Sequence, residues 1–397
     1  MNKTLSFKLG LVLASTALMF GCSSSDDAND TATTAKVAVA VGATADYSTA
    51  THALIDSESP YTANINLAAS GDTDVTVSGY GEHFYRIARF GANHITKYAA
   101  SAPEVPIWQC STEGTETGSN PYQLVQVAED KAYVLRYGSG KLWIVDPSIA
   151  SSADCASFKT GEIDLSSFDS DGIPEMSAAV VVGNYLFVAI QRLQNFVPSQ
   201  KSQVVVIDTA TDTVIDTDSN VAGIQPITLP GRNPGSMQYV DSMDRIFVQS
   251  VGKYDSTAYG GTAAEYTGGI DVIDPTALVA TVLIDDDADI TRQISGMAVI
   301  DSSTGYFVSY AGWGDNSLYQ FSPTDGSIVK DILGAPVPVT PDFSSTNIAG
   351  IHAGPHGKLW VRIDSGLSIV EPGDNSVIES LIDTQMNPSG LVFVDNP

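Results

Sequence analysis

Arginine is the scarce charge carrier of this 397-residue chain, which holds eight arginines, 46 acidic residues and 19 lysines plus arginines in all. Six of the eight (Arg89, Arg136, Arg192, Arg232, Arg292 and Arg362) fall near segment ends that also hold Phe90, Tyr137, Phe196, Tyr254, Tyr259, Tyr266, Tyr310 and Trp313. A guanidinium offers a planar fork of donors that matches a carboxylate or phosphate, and aromatic faces stack on flat groups and on cations. Arg89, Arg136, Tyr137, Arg192, Arg232, Tyr254, Arg292, Trp313 and Arg362 are therefore the candidate set for a planar, anionic ligand. The competing role for the same arginines is to neutralise nearby acids and brace loops.

Other chemistry is weaker. Asp169, Asp171 and Glu175 surround Gly172 and could hold calcium through oxygen ligands, although their spacing is not that of an EF-hand loop. Asp285-Asp286-Asp287-Ala288-Asp289 reads as a solvated acidic turn. His352 and His356 are four apart, but on an extended segment and a turn, so they do not face one another as a helical metal-binding pair would. There is no Gly-x-Ser-x-Gly elbow and no phosphate-cradling glycine loop, and no catalytic residue is assigned.

The elements that must position these residues repeat. Apolar first strands begin near Val75, Tyr122, Ala178, Met237, Met297, Ile351 and Leu391, several behind Asn-Pro turns at Asn120-Pro121, Asn233-Pro234 and Asn387-Pro388. Second strands carry Tyr133-Val134, Phe187-Val188, Phe247-Val248, Phe307-Val308 and Trp360-Val361, and third strands close on Asp146-Pro147, Asp208-Thr209, Asp274-Pro275, Ser322-Pro323 and Glu371-Pro372. Short β-branched and aromatic runs cut by turns are strands, and no convincing helical period follows the N-terminal segment. The seventh unit stops after one strand, while Thr51–Asp56 and Thr62–Leu67 are orphan strands before the first complete unit. Pairing the two chain ends completes one blade and hides the edges. The expectation is an all-β, seven-bladed β-propeller over residues 46–397. Laying the units over one another places the six arginines at one end of its channel, with Arg89 and Arg136 at equivalent positions. The long loops Gln191–Ser202 and Gly252–Gly269 lie on that same face.

This repeat, with its Asn-Pro turn, Tyr-Val or Phe-Val strand and Ile-Asp-Pro or Ile-Asp-Thr ending, resembles the YVTN-type propellers. That resemblance implies fold more than function, since propellers host binding, catalysis and scaffolding.

Lys3 and Lys8 precede an apolar stretch from Leu9 to Phe20 that is too short for a stable membrane span, so residues 1–21 read as a secretory signal. Leu18-Met19-Phe20-Gly21-Cys22 resembles a bacterial lipobox, which implies lipidation at Cys22, and residues 22–45 read as a disordered polar tether. Ser23 after the anchor resembles lipoproteins sent to the outer membrane of a Gram-negative bacterium. Cys110 and Cys155 lie late in adjacent units, and export favours a disulfide between them. Removing residues 1–21 takes away two lysines and no acid, moving the formal charge from −27 to −29, which excludes nucleic acid and adhesion of the folded surface to anionic lipid.

Architecture and anchor together are similar to the surface propeller lipoproteins that hand ligands to a TonB-dependent receptor. The implied function is capture of a small anionic or aromatic ligand, such as a ferric siderophore, with no cofactor required. A calcium-dependent lactonase-like hydrolase and an envelope scaffold that binds other proteins by its rim stay open as alternatives.

Overall fold

The computed structural model describes residues 36–255, 257, 261–312, 314–331, 333–339, 343 and 346–396. Seven antiparallel sheets, one per blade, surround a central channel. Their innermost strands are Val75–Tyr80, Pro121–Ala128, Met176–Val182, Pro234–Val240, Gln293–Val299, Ile348–Ala353 and Asn387–Asp395. Each packs against the innermost strand of the next blade, and the ring closes from the last to the first.

The second strands are the most buried. Val134, Val188, Val248 and Val361 are fully buried, as are Tyr133, Phe187, Phe247, Phe307 and Trp360. A second strand has strands on both edges and neighbouring blades on both faces, which is why it reads as a continuous apolar run rather than an alternating one. The outer strands alternate, as in Trp108–Ser111, because one face meets solvent. Many innermost-strand side chains, including most of Pro121–Ala128 and Pro234–Val240, are only half-buried.

The closing blade runs outward from the axis as Asn387–Asp395, Lys36–Ala43, Ala50–Asp56 and Ala63–Ser70. Lys36–Ala43 lies inside the stretch assigned to the tether, so the propeller takes in residues 36–43 as well. Its sequence, Lys-Val-Ala-Val-Ala-Val-Gly-Ala, is small and apolar, and it is buried because it sits between two strands. The orphan strands at 51–56 and 62–67 therefore meet the C-terminal strand through this one.

Cys110, on the outermost strand of blade 1, is bonded to Cys155, in the 3-10 turn Ser152–Ser157 of blade 2, with Cα atoms 5.5 Å apart. The bond closes 45 residues and ties two adjacent blades. Its loss in Cys110→Ser/Cys155→Ser is expected to cost about 2–4 kcal/mol, chiefly through the freed unfolded chain. Denaturant unfolding of the oxidised protein against the double variant checks this, and coincident midpoints would contradict it.

The two ends of the barrel differ. Short first-to-second-strand turns such as Gly183-Asn184 form one face, with both described chain ends (the turn face). Second-to-third-strand loops and inter-blade segments form the other (the loop face).

Candidate functional site

The mouth of the channel on the loop face is built by a repeated corner. Four innermost strands are entered through a residue with left-handed backbone: Asn120 (φ 46°), Glu175 (φ 51°), Asn233 (φ 63°) and Arg292 (φ 48°). Asn tolerates that region, whereas at Glu and Arg it stores about 1 kcal/mol or more each. Six of the seven innermost strands then slip register near their mouth-side end, leaving Tyr122, Ser177, Gly235, Ser295, Ala349 and Ser389 as the extra residues. A bulge there bends the strand and increases its twist. Most of these residues are small, which keeps the mouth open.

Two second-strand side chains cross a glycine of the innermost strand at this level. In blade 4, Gln249 lies over Gly235, accepts from Ser236 Oγ (3.2 Å) and donates from Nε2 to the Ile294 carbonyl of blade 5 (2.5 Å). In blade 6, Arg362 lies over Gly350, where a Cβ would collide with its guanidinium. Arg362 donates from Nε to His352 Nε2 (3.0 Å) and from Nη1 to the Pro388 carbonyl of the closing blade (3.0 Å). Both residues thus brace one blade to the next, but only Arg362 brings a charge. No carboxylate of the described residues pairs with Arg362, and its Nη2 donates to no protein group among them.

Arg362 and His352 are both half-buried. Burial first, and the Arg89 charge second, bring Arg362 down to about 10. It remains a cation at neutral pH. Burial and the Arg362 charge push His352 down to about 3, so it is neutral, with Nε2 as acceptor.

Beside Arg362, the mouth has an aromatic wall. The Arg89 guanidinium stands 4.9 Å over the Tyr122 ring while Nε and Nη2 hold Asp74 (2.8 and 2.5 Å). Tyr122 stacks on Tyr137 at 4.3 Å between ring centres and 13° between planes. Tyr137 donates to Gln191 (2.7 Å), which donates to the Pro234 carbonyl (2.9 Å). The wall is continuous from blade 1 to blade 4.

The remaining arginines of the candidate set brace. Arg136 is 1% exposed, donates to the Thr112 and Glu113 carbonyls, to Ser139 and to Glu116, and stacks on Trp143 at 4.4 Å. Its fork is consumed and covered, so it cannot take a ligand as the repeat alignment suggested. Arg192 holds the Phe168 and Lys201 carbonyls and Gln200, and Arg292 pairs with Asp315 at 2.6 Å. Arg232 donates to the Pro198 carbonyl beside a hollow of about 160 Å³ that Lys201, Thr267 and Asp285 also line. A larger hollow of about 390 Å³ next to Asn387 carries no cation and one acid, Asp383, which does not suit an anion. Tyr254 meets Tyr310 edge-on at 6.2 Å, and Tyr259 and Trp313 lie outside the described residues.

Asp169, Asp171 and Glu175 do not converge. Each carboxylate accepts from nearby backbone, at Ser170, Ile173 and Leu193 respectively. Among the described residues no three His, Cys, Asp or Glu side chains gather as a metal site. The acidic turn is closed on its own amides.

Three buried acids shape the pH response instead. Burial raises Glu175 and Asp271 to about 7 and Asp286 to about 6, against an ordinary value near 4. A carboxyl with a raised folded-state pKa favours folding fully below the unfolded value, and this contribution is lost as pH rises through the folded value. Asp46 and Asp164, held at about 2 by hydroxyl and lysine partners, act only below the unfolded value, outside that window. The neutral His52 and His352, held by burial at about 4 and about 3, act in the opposite sense below the unfolded histidine value near 6.5, so Tm is expected to fall between about pH 6.5 and about pH 8. Asp271→Asn, which still accepts from Gly231, flattens the fall. A wild-type Tm that rises across the window would refute it.

The sequence matches no protein-family model and no curated protein. Solved structures match its shape. A provisionally assigned 6-phosphogluconolactonase from Bacteroides fragilis aligns with TM-score 0.60 and 11% identity, covering 92% of this chain and 100% of that one. A protein of unknown function from Desulfotomaculum acetoxidans aligns at 0.56 and 10%, covering 91% and 99%. Virginiamycin B lyase from Staphylococcus aureus aligns at 0.52 and 11%, covering 82% and 92%. At these identities the likeness is one of fold, and the chain is a seven-bladed β-propeller.

Proposed function

We propose that this propeller binds a small, flat, anionic ligand at the mouth of its channel, with Arg362 as the charge partner and Tyr122, Tyr137 and Arg89 as the stacking wall. One observation carries the reading: Gln249 makes the blade-to-blade brace without charge, so the brace does not explain a guanidinium at Arg362. An enclosed cation with spare donors and no carboxylate, in a chain of net charge −27, is stabilised by an anion that brings its own acceptors. The ligand class includes aromatic carboxylates and ferric siderophores. The protein carries out this capture from a lipid anchor at Cys22 in the outer membrane of a Gram-negative bacterium, with a TonB-dependent receptor as a fitting partner.

Calorimetric titration with aromatic carboxylates and a catecholate iron chelate tests this. Saturable binding of at least one, weakened by salt and by loss of the Arg362 charge, is the expected result. Binding of none, or binding indifferent to Arg362, overturns it. The hydrolase alternative has no comparable support, because a shared fold at such low identity does not carry a lactonase or lyase activity across.

A further inference from the structure

The path of the chain through the closing blade decides which face an N-terminal anchor holds toward a membrane. Lys36 opens its strand at the turn face. It pairs with Asp395, whose N–H donates to the Gly81 carbonyl in the first turn of blade 1 (2.8 Å), and its own carbonyl accepts from Ser57 Oγ (2.6 Å). The strand ends with Ala43 opposite Asn387, next to the Pro388 whose carbonyl accepts from Arg362. Eight residues of strand span about 25 Å, so Lys36 and Arg362 stand near opposite ends of the channel. Cys22 is fourteen residues before Lys36. Read as the polar tether that its composition suggests, this stretch averages about 20 Å from end to end, short against the body of a propeller.

We infer that the turn face lies toward the anchoring membrane and the loop face, with the Arg362 mouth, points away from it. This rests on the reading of Cys22 as lipidated, but not on the identity of the ligand. Charge holds the turn face off the lipid and does not itself set the orientation, which comes from the anchor. Glu82, Glu129, Asp130, Asp241, Asp244 and Asp301 are exposed on its turns, and an anionic lipid surface repels them within a Debye length. The mouth is thereby open to ligand in the aqueous phase. A transporter in the same membrane meets the turn face or rim first, so hand-over from the mouth requires the propeller to tip.

The test uses full-length protein reconstituted in vesicles whose lipid carries a headgroup energy acceptor. A donor dye is placed at Asn184→Cys on the turn face or at Phe196→Cys on the loop face, both exposed. Severalfold stronger transfer from position 184 than from 196 is expected. Equal transfer, or stronger transfer from 196, overturns the orientation. Mass analysis of the purified chain and of Cys22→Ser separates the two readings: absence of a lipid adduct removes the anchor itself, whereas an adduct with the wrong transfer pattern removes only the orientation. The ligand titration stays unaffected by either result.

Discussion

Arg136→Ala is expected to lower the unfolding free energy by about 2–5 kcal/mol, from two carbonyls left unpaired at about 1–3 kcal/mol each and a side-chain stem lost from the core. The reason is local. Arg136 is buried against Trp143 and its donors satisfy the Thr112 and Glu113 carbonyls between blades 1 and 2. Truncation leaves those carbonyls unpaired in a space too enclosed to hydrate freely, and removes the alkyl stem from the core. The ion pair with Glu116 adds little, because that carboxylate is half exposed. Ligand affinity per folded molecule should not change. Chemical denaturation of wild type and variant measures the cost, and a change below about 1 kcal/mol would show that the fork is not a brace.

Arg362→Gln is expected to do the reverse. Glutamine at that position copies the arrangement of Gln249, so a neutral donor still reaches the Pro388 carbonyl and Gly350 leaves room for it. What disappears is the charge. A charge-assisted hydrogen bond contributes about 1.5–3 kcal/mol, so affinity for an anionic ligand should fall about 10- to 150-fold while Tm stays within a few degrees. Arg362→Ala should lose both affinity and some stability, since the brace goes too. Titration and thermal unfolding of the two variants together separate the roles. Equal affinity in wild type and Arg362→Gln would remove Arg362 from the site.

These opposite outcomes come from residues that look alike in the linear chain. The repeat made the propeller legible, because Tyr-Val and Phe-Val motifs, Asn-Pro turns and a truncated last unit are local features set by strand burial and turn geometry. The disulfide was legible for a related reason: two cysteines in consecutive units share an outer edge once the units are stacked. Lys36–Ala43 was not, since its alanines and valines follow a polar stretch and only pairing on both sides identifies them as a central strand. Tyr122 was missed, and His352 was weighed only against His356, because nothing in their own segments marks their partners. Their roles depend on Arg362, on a second strand, and on Arg89, just beyond the end of one.

By itself, then, the sequence determined seven blades, a closure through the chain ends, a cystine and a set of arginines at one end of a channel. Only the tertiary structure decided which arginine keeps its charge available. Whether a guanidinium is spent or spare depends on the carbonyls and carboxylates that other blades bring within about 3 Å. Arg136 meets Thr112, Glu113 and Glu116 across a blade boundary, whereas Arg362 meets a neutral histidine, one carbonyl and the open channel.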